Sequence, residues 1–93
     1  MSTTDINQIL AERGARYGTF DGHAEISQRL KALVHHYEAV RGCDLEHDQR
    51  ESLEMVMHKV ARILNGDPNY SDSWRDISGY ASLVADRLDG VQK

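Results

Sequence analysis

The sequence predicts an all-α fold, a compact antiparallel bundle of three main helices plus a short N-terminal helix, in a single domain spanning 1–93. Three observations predict it. Apolar residues recur at helical spacing in three long segments. Gly14, Gly42, Gly66 and Gly90 each follow such a segment, where a left-handed C-cap belongs. One proline and 6% aromatic residues suit helices better than a β-sandwich.

The elements follow in order. Thr4 or Asp5 caps a short helix reaching about Arg13, with Ile6, Ile9 and Leu10 on one face. A loop from Ala15 to Phe20 carries Tyr17 and Phe20 around the permissive Gly18. Asp21 caps the second helix, whose stripe is Ile26, Leu30, Leu33, Val34 and Tyr37. The third helix starts near Asp44 or Asp48 and runs to Asn65, with Leu53, Val56, Met57, Val60, Ile63 and Leu64 as its stripe. Gly66 and Pro68 stop it, because glycine ends a helix and proline blocks its resumption. Ser71 or Asp72 caps the fourth helix, whose stripe is Trp74, Ile77, Tyr80, Ala81, Val84 and Leu88. Each long helix is too amphipathic to stand alone, and the third stripe is wide enough to serve two neighbours, one of them from a second subunit.

Composition excludes several classes of function. Eleven basic residues against fifteen acidic ones give a net charge of −4, which argues against binding along a DNA backbone. No run of ~18 apolar residues spans a membrane. The polar N-terminus lacks a basic-then-apolar leader, so a cytoplasmic location is expected. Cys43 is single and makes neither an internal disulfide nor a thiolate zinc site.

Candidate chemistry lies on the last two helices. His47, Glu51, Glu54 and His58 form one line along the third helix, away from the Leu53/Val60 stripe. Glu51 and Glu54 stand one turn apart, close enough to share a divalent cation, although charged faces opposite apolar ones are ordinarily just solvated. On the fourth helix, Asp76 is placed at the margin of the core, where a carboxylate needs a partner: a metal ion, Arg62, Lys59 or first-turn amides. Asp72 is explained by capping or by the helix dipole. Trp74 fits a core or interface position. Tyr17 and Phe20 either stack on a base or close the open end of the bundle.

Two resemblances add to this reading. The blocks Ala61-Arg62-Ile63-Leu64-Asn65-Gly66-Asp67-Pro68 and Asp72-Ser73-Trp74-Arg75-Asp76-Ile77-Ser78-Gly79-Tyr80-Ala81, with Arg16-Tyr17-Gly18-Thr19-Phe20 before them, resemble a family of small tailed-bacteriophage and prophage proteins. More distantly, the chain is similar to the MazG-like all-α nucleoside triphosphate pyrophosphohydrolases. Those enzymes carry two acids on each of two helices, and the acids hold magnesium against a nucleotide's phosphates. Glu51 and Glu54 match the first pair and Asp76 the last acid; Ser73 stands at the third, with Asp72 beside it.

The second resemblance implies Glu51, Glu54 and Asp76 as catalytic residues, with Glu51, Glu54, Asp72 and Asp76 holding Mg2+ or Mn2+. Lys59 or Arg62 would neutralise a phosphate, and Tyr17, Phe20 or Trp74 would stack on the base. It implies a homodimer acting on nucleotides, and the first resemblance implies a phage origin and hence the cytoplasm of an infected or lysogenic host. The serine at the third acid puts turnover in doubt. The alternative is a non-enzymatic phage accessory protein that binds and inhibits a host defence protein, presenting the stripe from His47 to His58, with Asp44, Glu46 and Asp48 at its start, where nucleic acid would otherwise bind.

Overall fold

A computed structural model describes residues 3–91. Among them are four helices and no strand: α1 (Thr3–Tyr17), α2 (Phe20–Arg41), α3 (His47–Asn65) and α4 (Ser71–Leu88). The predicted all-α antiparallel bundle is what the chain forms. None of its helices is long and apolar enough to cross a membrane.

The boundaries differ from the sequence reading in instructive ways. α1 begins at Thr3 and runs through Gly14 to Tyr17, so Gly14 is no cap, and the predicted loop is reduced to Gly18-Thr19. Gly18 takes the left-handed φ of 76° that ends α1. The side chains of Thr4 and Asp5, the expected caps, lie outside the described residues. Thr19 rather than Asp21 caps α2, its hydroxyl accepting from the Gly22 amide. Gly42 is the left-handed C-cap that was expected. α3 starts at a capping box made by Glu46 and Gln49. Its C-cap, Gly66, has φ −133°, so that glycine serves another purpose, described below.

α3 is the central element, with α4 and α2 packed antiparallel on its two flanks and α1 touching it lightly. Side-chain bonds fix both registers. Arg50 pairs with Glu38 of α2 at 2.7 Å, and Lys31 of α2 meets His58. On the other flank Arg87 of α4 makes two 2.7 Å bonds to Asp48, Ser52 donates to the Tyr80 carbonyl, and Lys59 pairs with Asp76. Small buried residues, Ser27 on α2, Ala61 on α3 and Ser73 on α4, let the backbones approach closely.

This arrangement uses polar flanks of α3 for packing and leaves part of its apolar stripe open. Met57, Ala61 and Ile63 are the buried apolar core, whereas Leu53 is 41% and Leu64 67% exposed. The line of His47, Glu51, Glu54 and His58 is therefore no uniformly solvated back face, because its C-terminal end lies against α2. The radius of gyration is 15.9 Å, against about 12 Å for a globular chain of this length. The molecule is elongated, and Leu53 and Leu64 of α3 remain exposed among the described residues.

Candidate functional site

The four acids implied as metal ligands stand in separate surroundings. Asp76 Oδ2 lies 3.1 Å from the ammonium of Lys59, an ion pair at the edge of the α3–α4 contact. Asp72 accepts a 3.0 Å bond from the Tyr70 hydroxyl and a 3.4 Å bond from Arg75. It raises the pKa of Tyr70 by accepting that proton, and the Tyr70 hydroxyl in turn accepts from Arg16 of α1. Glu51 is exposed at the rim of a cavity of about 340 Å³ between α3 and α4, floored by Tyr80, Leu83 and Val84. Glu54 is half-buried, and its charge acts on His58.

The cause of this separation is register. Asp76 sits opposite Lys59, more than one turn along α3 from Glu54, while Ser52 sits opposite Tyr80. Ser73, which the resemblance sets at the third acid, is buried. Among the described residues, no three of His, Cys, Asp and Glu form a group able to hold a metal ion. Three or four hard oxygen ligands converging on one magnesium ion are therefore not assembled from this set within the chain.

Nor is the predicted acidic face free. Glu46 and Asp48 both pair with Arg87, and that guanidinium's hydrogen bonds hold Asp48 below its ordinary pKa.

A different site forms where α1, the α1–α2 junction and α3 meet. Asn65, the last residue of α3, donates from Nδ2 to the carbonyls of Tyr17 at 2.7 Å and Thr19 at 2.8 Å. Asp67 donates its amide to the Arg16 carbonyl at 2.7 Å. Close approach at this clasp explains the glycines. A Cβ on Gly18 or Gly22 would strike Asn65, and one on Gly66 would strike the backbone of Arg16 and Tyr17. The blocks Arg16-Tyr17-Gly18-Thr19-Phe20 and Asn65-Gly66-Asp67-Pro68 are two halves of one joint.

That joint shapes a groove of about 720 Å³ walled by Arg13 and Tyr17 of α1, Phe20 and His23 of α2, and His58 and Arg62 of α3. Arg62 lies over the Tyr17 ring, 4.5 Å from its centroid. Phe20 is 81% exposed, and its ring stacks toward His23 at 6.4 Å. No carboxylate forms an ion pair with Arg13, Arg62 or Lys31 among the described residues. Burial first, and then the charges of His58, Arg62, Lys31 and Lys59, hold His23 below its ordinary pKa. Burial and then Lys31, Arg62 and Lys59 do the same to His58, with Glu54 pulling the other way. Such a groove offers cationic donors and aromatic faces to an anion that carries a ring.

Of the predicted binding residues, the groove contains Arg62 and Tyr17. Lys59 is buried on Asp76, and Trp74 is 55% exposed, its indole donating to the Pro68 carbonyl at 2.9 Å. Arg13, His23 and His58 join the groove without having been expected as ligand-binding residues. Their only shared signal is long-range, and the spacing within one helix carries none of it.

Neither a curated protein nor a solved structure gives a significant match to the chain. Residues 3–88 match the profile of the family described as "Domain of unknown function (DUF6378)", and the chain belongs to that family.

Proposed function

We propose that this protein binds nucleotides, or closely related phosphate-bearing aromatic metabolites, in the groove between α1, the α1–α2 junction and α3. The observation that carries this reading is the convergence of Arg13, Arg62, His23 and His58 with the rings of Tyr17 and Phe20, with no carboxylate paired to either arginine among the described residues. Guanidinium groups bind phosphate oxygens through several N–H donors, and an exposed ring can cover a base. This keeps the nucleotide class that the MazG-like resemblance implies, and with it a phage-type protein acting in the host cytoplasm. It moves the ligand from the acids to the cations. Binding without metal-assisted hydrolysis is the form the side chains favour, given the scattered positions of Glu51, Glu54, Asp72 and Asp76.

Self-association belongs to the same proposal. Leu53 and Leu64 on α3, and Leu33, Tyr37 and Val40 along α2, are all exposed. A second copy burying this strip would complete a core that one chain leaves open. A host protein on the same strip is the competing occupant.

The test is calorimetric titration with ATP, with and without magnesium, while pyrophosphate release is followed. ATP should bind in the absence of metal, and Arg62→Ala and Arg13→Ala should each weaken it about tenfold, the loss of one charge-assisted contact of roughly 1.4 kcal/mol. Absence of binding by ATP and the other nucleoside triphosphates would overturn the reading. Metal-dependent pyrophosphate release lost in Glu54→Ala and Asp76→Ala would restore the hydrolase instead.

A further inference from the structure

At the His58 end of the groove, Lys31 of α2, which does not itself line the cavity, places Nζ 3.1 Å from Nε2 of His58. An ammonium group can only donate, so Nε2 of His58 accepts, and the imidazole is neutral with its proton on Nδ1. His23 stands edge-on to His58 with ring centroids 5.3 Å apart. Its Nδ1 is buried and has no hydrogen-bond partner among the described residues. A buried nitrogen without a partner costs free energy until something meets it.

The charges around these two rings are nearly all of one sign. From α2 comes Lys31, from α3 come Lys59 and Arg62, and from α1 comes Arg13 at the groove wall. Glu54 of α3 opposes them and ranks below the three cations acting on His58. Asp76 of α4 is engaged with Lys59. The two histidines thus stay neutral in a place where cationic donors outnumber the single carboxylate of Glu54.

We propose that this end of the groove is a phosphate subsite, and that a phosphomonoester dianion entering it draws one proton from solvent onto His58. The inference rests on the nucleotide reading above and names the part of the ligand that sits deepest. As the dianion arrives, Lys31 turns its ammonium from His58 to a phosphate oxygen. Nε2 of His58, released from accepting, takes up a proton and becomes a second donor. Arg62 faces the remaining oxygens, and the His23 ring turns to bring its buried Nδ1–H to them as a further donor. Tyr17 and Phe20, at the outer wall, are left for the base. The one bond formed is the N–H on Nε2 of His58, its proton coming from solvent, and the complex holds one more proton than the separated partners.

The probe is AMP, with its cyclic phosphodiester as the monoanionic control. Titrations at about pH 7.5, where a phosphomonoester of second pKa about 6 is a dianion, are run in two buffers of different ionisation heat. The heats should differ by the uptake of about one proton per AMP, and binding should tighten as pH falls toward about 6.5. The cyclic diester should bind more weakly and with less uptake. His58→Gln should remove most of the uptake. Because that variant also removes a ring packed against His23, the His58 ring is titrated by NMR in the unaltered protein as well, where saturating AMP should move its pKa upward. Identical heats in both buffers, with a His58 titration unmoved by bound AMP, would overturn the proposal while leaving nucleotide binding in place. If neither AMP nor ATP binds in any buffer, the nucleotide reading fails and takes this inference with it.

Discussion

Removing Asp76 separates a structural role from a chemical one. The Lys59 side chain is 11% exposed and that of Asp76 is 49% exposed, with 3.1 Å between the charged atoms. Breaking a fully buried ion pair from one side costs about 3–5 kcal/mol, because the remaining charge stays buried and unpaired. An exposed pair is worth only about 0–1 kcal/mol. Water already reaches Asp76 and can partly replace it, so Asp76→Ala should cost roughly 1–3 kcal/mol. The effect is asymmetric. Lys59→Met keeps the stem in place and leaves only a half-hydrated carboxylate, and so should cost about 1 kcal/mol or less. The double variant removes both charges and should recover most of the loss seen in Asp76→Ala. Urea unfolding followed by circular dichroism measures this, at one fixed protomer concentration because self-association alters apparent stability. In thermal melts each kcal/mol corresponds to about 4–8 °C for a domain of this size. The reasoning is refuted if Asp76→Ala is as stable as the parent, or if the double variant shows the plain sum of the two losses.

Asn65→Ala should cost about 1–2 kcal/mol, because the Tyr17 carbonyl loses its side-chain donor and the Thr19 carbonyl keeps only the His23 amide, and amide exchange should quicken around Tyr17 to Thr19; native exchange rates there would refute the clasp. The pH dependence follows from the lowered pKa values of His23 and His58. The unfolded chain binds more protons between the folded pKa values and the ordinary 6.5, so stability is full above about 6.5 and falls as pH drops through the lower folded values. A further loss should come below the ordinary 3.8 of Asp48 as its bonds to Arg87 are protonated away, and an unfolding midpoint independent of pH across both windows would contradict the two assignments. Leu53→Asp or Leu64→Asp should shift a dimer toward monomer in sedimentation, by tenfold or more in dissociation constant if each leucine buries about 1.5–3 kcal/mol of apolar surface; unchanged sedimentation would remove that strip from the interface.

The fold was legible because helical periodicity is a local property. Stripes such as Ile26–Leu30–Val34 and Ile77–Tyr80–Val84 mark helices whatever they pack against. What periodicity does not encode is which side of a helix its neighbours choose. The apolar stripe of α3 marks the helix correctly, yet α2 and α4 dock on its flanks through Arg50, Lys59 and Asp48, and Leu53 and Leu64 remain open. Small residues decide this. Ala61, Ser27 and Ser73 are nearly silent in a hydrophobic pattern but set where backbones can come close.

The site was less legible for the same reason, applied across helices. Spacing within α3 placed Glu51 and Glu54 one turn apart correctly, but whether Asp72 and Asp76 meet them depends on a slide of α4 that a single helix cannot report. One turn of slide moves a carboxylate about 5.4 Å, more than the tolerance of any magnesium shell. The Lys59–Asp76 pair records where the slide came to rest. The cationic groove was hidden differently, since Arg13, His23, His58 and Arg62 come from three helices and share no spacing. Their one sequence-level trace is indirect. Gly22 and Gly66 are needed because Asn65 and the Arg16–Tyr17 backbone press against them, and Gly18 both for the same close approach and for its left-handed φ of 76°. Glycines that no turn explains mark a place where two distant segments meet, and here that meeting builds the groove wall.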